Sequence, residues 1–224
     1  MMRAICSLAL FAVAAAAQHA PAGVAPEKAL ARLMEGNRRH VQHRERHPDM
    51  EVKRRHELAT SGQHPFAIII GCADSRVPPE LVFDQGLGDM FVIRDAGNVV
   101  DEGILGSIEY AVEHLGVRLV MVLGHEKCGA VSAAIAGGEA HGHVKVVVDA
   151  IQPAVEESAK EPGDKVHNCV VANARRTARL IRESEPVLKS LASSGRNLVV
   201  AADYDLYSGK VELLDLPAKT VSRR

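Results

Sequence analysis

Cys72, Asp74 and Arg76 stand at alternate positions in "GCADSR", and His125 and Cys128 stand three apart in "GHEKCG". Each group follows an apolar run that reads as a buried strand. Together they offer two thiolates, an imidazole and a carboxylate, a complete tetrahedral shell of the soft and borderline donors that zinc takes. Either half alone is weak, because free cysteines are among the most buried residues and a single histidine is often structural. Cys169 illustrates that structural alternative: it lies in a helical pattern with Val166 and Val170, has only His167 as a ligand-type neighbour, and is expected in the core. Cys72 and Cys128 differ because each has ligand-type residues two or three positions away at an expected strand end.

Arg76 changes what Asp74 means. As a fourth ligand, Asp74 would close the site and make it structural. A guanidinium two residues on can instead take the carboxylate in a bidentate pair, leaving the fourth position to water and making the site catalytic. The residues alone leave both arrangements open. Two thiolates already offset the 2+ charge of zinc, so such a site should acidify water less than a three-histidine site, where the bound water has a pKa of about 7. Activity is therefore expected to rise into mildly alkaline pH. A compact zinc module is disfavoured, since residues 73–124 between Cys72 and His125 contain their own strand and helix patterns.

The elements that must position these residues follow from periodicity. Apolar runs at "FAIIIGC", "MFVIRDAGN" and "RLVMVLGHEKCG" alternate with helical patterns at "GILGSIEYAVEHLG" and from near Ala130. That alternation predicts an α/β fold with a mainly parallel central β-sheet flanked by helices. Ligands of such sheets bind beyond the carboxyl ends of strands, where the two clusters can meet. "GGEAHG" reads as a loop. Helices are expected from Val144, through "VHNCVVANARRTARLIRES", and again after Pro186, which would disrupt a helix interior. "NLVVAADYDLYSGKVELLDL" reads as a C-terminal β-hairpin edge turning at Ser208-Gly209.

Before the first strand, Pro21 to His64 is polar and helical in pattern, with Leu30, Leu33, Met34 and Val41 near one face, and is expected to be an N-terminal arm. Its five histidines, His40, His43, His47, His56 and His64, are irregularly spaced among arginines and read as a solvated face. Residues 1–17 hold one arginine and an apolar run too short to span a membrane, the pattern of a cleaved signal peptide. The expected protein is thus exported, periplasmic or secreted, with a single domain over 18–224 and no membrane span. Removal of Cys6 with that segment leaves Cys72, Cys128 and Cys169, an odd set that does not suggest a disulfide framework. A formal net charge of −1 without a basic stripe argues against nucleic acid as a partner.

With "CADSR" followed by "HEKC", the chain resembles the β-class carbonic anhydrases. The likeness runs from about Leu30 to Leu214 and includes "EGNRRHV", "VPPELVFDQGLGDMFVIRDAGN", "ILGSIEYAVEHLG", "VLGHEKCGAV" and "YDLYSGKVELL". It implies one Zn2+ per subunit, interconversion of carbon dioxide and bicarbonate by zinc-bound hydroxide, and a homodimer or dimer-based tetramer. It implies Cys72, His125 and Cys128 as zinc ligands, Asp74 and Arg76 as a gating dyad, and Asp74 as a ligand only in a closed state. It further implies Gln63, Phe91, Ala96, Tyr110 and Gly129 as substrate-binding residues, the glutamine and some apolar walls coming from the neighbouring subunit. Asp95 departs from the family, which often has an uncharged residue there. The chain has no tryptophan, so the tryptophan-containing bicarbonate pocket of the allosteric subgroup is not expected. The alternatives are a carbon disulfide or carbonyl sulfide hydrolase of the same fold, and a non-catalytic zinc- or bicarbonate-binding protein. His40, His43 and His64 are the candidates for proton relay.

Overall fold

The computed structural model of the chain describes residues 23–138 and 140–215, and the expected signal segment 1–17 lies outside them. The five strands are β1 (Ala67–Cys72), β2 (Met90–Asp95), β3 (Leu119–His125), β4 (Leu198–Tyr204) and β5 (Val211–Asp215). They form one sheet in the order β2-β1-β3-β4-β5. The first four are parallel, and β5 returns antiparallel to β4, giving the expected hairpin edge. Crossover helices make the parallel register possible and cover the sheet.

The continuous burial of β1 and β3 follows from helices on both faces. On one face Ala67, Ile69, Leu119, Met121, Val200 and Ala202 pack with Leu33 of helix α1 (Pro26–Val41) and with Phe83, just after the short helix α3 (Pro79–Val82). On the other, Ile68, Ile70, Val120, Val122 and Ala201 meet Ile108 of α4 (Glu102–His114) and Ala174, Ala178 and Ile181 of α7 (Lys165–Glu183). A third cluster closes the carboxyl end of the sheet. There Cys169 is fully buried beside Val131 of α5 (Gly129–Ala136) and Ile151 of α6 (Val144–Ser158), as expected of a core residue.

The arm is two helices, α1 and α2 (Val52–Ser61), with an irregular segment between. Leu33 is buried on the sheet, Leu30 and Met34 pack beside it, and α2 buries no residue of its own. The arm is anchored by Asn37, whose amide donates to the Val82 and Gly209 carbonyl oxygens and accepts from the Val211 N–H. Gly36 lets α1 come that close, since a Cβ there would lie 1.7 Å from the Phe83 carbonyl oxygen. His43, His47, His56 and His64 are exposed as expected. His40 is not: it is half-buried, with Nε2 3.4 Å from the Tyr204 hydroxyl.

The apolar run "MFVIRDAGN" does not stay a strand to its end. β2 stops at Asp95, and Ala96–Asn98 form one 3-10 turn, because Gly97 and Asn98 take positive φ values of 77° and 45° that no strand allows. This turn builds one wall of the site.

Candidate metal centre

β1 and β3 lie side by side and parallel, with Gly71 opposite Leu123, so their carboxyl ends bring Cys72 and His125 together. Beyond β3 the chain turns sharply through Lys127, at a φ of 52°, and returns Cys128 as the residue that opens α5. Cys72, His125 and Cys128 are buried, and one ligand atom from each lies within 4.8 Å of the others. Among the described residues this is the one group of three or more such side chains placed to hold a metal ion.

The donor chemistry fits a metal. His125 Nδ1 stands 2.9 Å from the Glu126 carbonyl oxygen, which can only accept, so Nδ1 carries the proton and Nε2 carries the lone pair. That Nε2 is buried without a hydrogen-bond partner. A buried acceptor aimed at two sulfurs is what a thiophilic divalent cation satisfies. The two thiols share their acidity: the Cys128 thiol, the His125 ring and the Gly97 N–H draw Cys72 well below the ordinary thiol value. Cys72 and burial in turn hold Cys128 above it. A cation of charge 2+ would relieve this opposition by taking both as thiolates.

Asp74 is paired with Arg76. Arg76 Nε donates to Oδ1 at 2.9 Å, Nη2 donates to Oδ2 at 2.7 Å, and the Arg76 main-chain N–H also reaches Oδ1 at 2.9 Å. The Arg76 guanidinium holds the Asp74 carboxyl far below the usual carboxylate range. Asp74 Oδ2 nonetheless stands 3.9 Å from His125 Nε2, at the edge of the cluster. Arg76 also donates to the Lys127 carbonyl oxygen at 3.2 Å, joining the two motif loops.

Sequence reasoning missed a second guanidinium. Arg94 Nε donates to the Cys72 carbonyl oxygen at 2.8 Å and Nη2 to the Asp74 carbonyl oxygen at 2.6 Å, fixing the loop that carries both side chains. The signal was a charge ending the apolar run of β2, whose Asp95 pairs with Cys72. Gly97 was missed as well, and its N–H donates to Cys72 Sγ at 3.3 Å. Asp95, the departure from the family pattern, is half-buried, and burial, the Cys72 charge and Asp101 push its carboxyl up to about 7.

The expected substrate residues divide into two sets. Ala96, exposed beside Gly97, and Gly129, exposed after Cys128, stand next to the cluster. Gln63, Phe91 and Tyr110 do not. Phe91 pairs with Ile68 at the amino end of the sheet, with its ring centroid 6.5 Å from that of Tyr110. Gln63 is exposed and precedes β1. At about 3.3 Å per residue, β1 alone puts roughly 16 Å between Ala67 and Cys72. His40, His43 and His64 are not part of the cluster.

A parallel α/β sheet with a Cys-His-Cys metal centre beyond its strand ends defines a class of metal-dependent α/β enzyme. The carbonic anhydrase family model matches residues 67–211. Carbonic anhydrase 2 of Mycobacterium tuberculosis is 42% identical over 194 residues, which cover 85% of this chain and 93% of that protein. The β-carbonic anhydrase CafA of Aspergillus fumigatus superposes with a TM-score of 0.65 at 29% identity, covering 84% of this chain and 90% of its own. A tetrameric β-carbonic anhydrase of Sordaria macrospora gives 0.64 at 27% identity, covering 69% and 83%. The chain belongs to the β-class carbonic anhydrase family and is a zinc enzyme that hydrates carbon dioxide.

Proposed function

We propose that Cys72, His125 and Cys128 hold the zinc ion and that the Asp74–Arg76 pair keeps its fourth position free for carbon dioxide hydration. The observation that carries this reading is the bidentate pair, which turns the Asp74 carboxylate toward Arg76 while leaving Oδ2 3.9 Å from His125 Nε2. A bound zinc ion supplies Lewis-acid activation of a water molecule as the nucleophile. This chain's residues do the rest. Asp74, ionised and already fixed by three N–H donors, is an acceptor only. It therefore favours a hydroxyl proton at the reacting oxygen and orients the lone pair toward substrate. Arg76 and Arg94 hold the loop so that Asp74 keeps this position, and Ala96 and Gly129 leave room for a small apolar molecule at the opening.

Gln63, Phe91 and Tyr110 complete the pocket from a second copy of the chain, the glutamine amide donating to bicarbonate and the rings walling carbon dioxide. Their distance from the cluster within one chain supports this, as does the tetrameric assembly of the Sordaria macrospora relative. Stopped-flow hydration of carbon dioxide against pH, with zinc content measured on the same sample, tests the reading. One zinc per chain and a rate rising into mildly alkaline pH are expected. A zinc-loaded protein whose rate is flat from neutral to alkaline pH would overturn it.

A further inference from the structure

We infer that Asn173 is a positioning residue for the metal centre: from α7 it anchors the Gly97 main chain at its carbonyl, so that the N–H on the other side of the Gly97 Cα stays on the Cys72 sulfur. The inference rests on the reading of Cys72 as a metal ligand. Asn173 is 2% exposed, and its Nδ2 donates to the Gly97 carbonyl oxygen at 2.8 Å across 76 residues of sequence. Gly97 in turn donates its N–H to Cys72 Sγ at 3.3 Å. Both polar groups of this one residue are thus committed, one to α7 and one to the metal site.

The third restraint is steric. Gly97 sits at a φ of 77°, and a Cβ on it would lie 2.7 Å from Ile151 Cδ1 and 3.2 Å from Ala130 Cβ. Packing from α5 and α6 limits where the turn can go, but packing does not set how the peptide plane is rotated. The Asn173 bond fixes the Gly97–Asn98 plane, and through the Gly97 Cα it restrains the neighbouring Ala96–Gly97 plane, which carries the N–H.

An N–H···S bond withdraws electron density from a thiolate, and hydrogen bonds to ligating sulfurs are among a protein's means of tuning its metal. In this centre the effect has a direction. Two thiolates quench the 2+ charge of the ion, and a hydrogen bond on Cys72 restores part of its Lewis acidity. Asn173 would thereby lower the pH at which the enzyme becomes active. The Asn173 side chain borders a cleft of about 210 Å³ also lined by Val99, Pro153, Arg176 and Thr177, so an apolar replacement has room.

The test substitutes cadmium-113 for zinc in the full chain and reads proton–cadmium couplings by NMR. Couplings to the Cys72 β-protons report the ligand, and a coupling to the Gly97 amide proton through the sulfur reports the hydrogen bond. The wild type is expected to give both. Asn173→Leu is expected to keep the Cys72 couplings, lose the Gly97 coupling, move the midpoint of the zinc enzyme's pH–rate profile upward, and lose roughly tenfold in kcat/KM at neutral pH. Asn173→Ala, which also lacks the donor, is read beside it and carries the test if the leucine variant fails to fold. Thr177→Val, one turn along α7 and 3% exposed, is the packing control and should leave every reading at the wild-type value. Cys72 coupling without Gly97 coupling in the wild type, or a Gly97 coupling that survives both Asn173 variants, overturns the inference alone. Absence of Cys72 coupling overturns the metal reading and the inference with it.

Discussion

If Asp74 and Arg76 act as the one unit proposed above, their substitutions should fail to add. Asp74→Asn keeps the shape but removes the anionic acceptor, so zinc should stay bound while kcat/KM falls by about 100-fold, within the range for lost proton-handling groups. Arg76→Gln releases a carboxylate that the guanidinium now holds in two hydrogen bonds, leaving Asp74 to turn onto the metal. That variant should lose activity to a similar extent. The double variant should then match Asp74→Asn alone, because removing the carboxylate removes what Arg76 restrains. Zinc analysis with kcat/KM for all three proteins checks this, and multiplying losses would mean that Arg76 acts independently. The residues of this unit were legible in the sequence because their chemistry is compressed into six positions. Asn173 was not, since its importance arises only where α7 crosses the 3-10 turn, and an asparagine within a helical pattern carries no mark of that contact.

At the scale of elements, the arm and the hairpin meet through one side chain. Asn37 of α1 is 3% exposed and makes three hydrogen bonds of 2.8 to 3.1 Å, to Val82 at the end of α3, to Gly209 in the hairpin turn, and from the first residue of β5. Asn37→Ala would strand buried backbone groups on two elements as well as delete the bonds. A loss of about 3 kcal/mol is expected, equivalent to roughly 10 °C in Tm for a domain of this size. Thermal unfolding of the zinc-loaded protein checks it, and a Tm within about 2 °C of wild type would show that α1 docks by Leu33 and its neighbours alone. The strands and most helices were legible because apolar runs and their breaks are local properties. The end of β2 was not: "MFVIRDAGN" reads whole as one strand-like run, whereas its apolar part ends at the charged Arg94 and Asp95 and the positive φ at Gly97 and Asn98 turns the chain. His40 was misread for a related reason, since its contact with Tyr204 is made by the fold and not by its charged neighbours along the chain.

The proposed pocket makes a geometric demand on the whole molecule. The metal ligands stand at the carboxyl end of the sheet, while Phe91 and Tyr110 gather toward its amino end and Gln63 belongs to the segment that precedes β1. A two-fold dimer would meet it, because an isologous interface can bring the amino-end residues of each copy to the metal centre of the other. Complementation distinguishes this arrangement from one in which each chain works alone. His125→Ala removes a metal ligand but leaves Gln63 in place, and Gln63→Leu removes the amide but leaves the cluster intact. Each variant by itself should be nearly inactive. A mixed dimer contains one site built from an intact cluster and an intact glutamine, and one site lacking both. Refolding the two variants together in equal amounts puts half the molecules in mixed dimers, so about a quarter of wild-type activity should return. Mixing them without refolding should return none unless subunits exchange, and the rate of recovery then measures dimer dissociation. If refolding restores nothing although light scattering shows dimers, Gln63 does not act across the subunit boundary, and the pocket must close by movement of the arm within one chain.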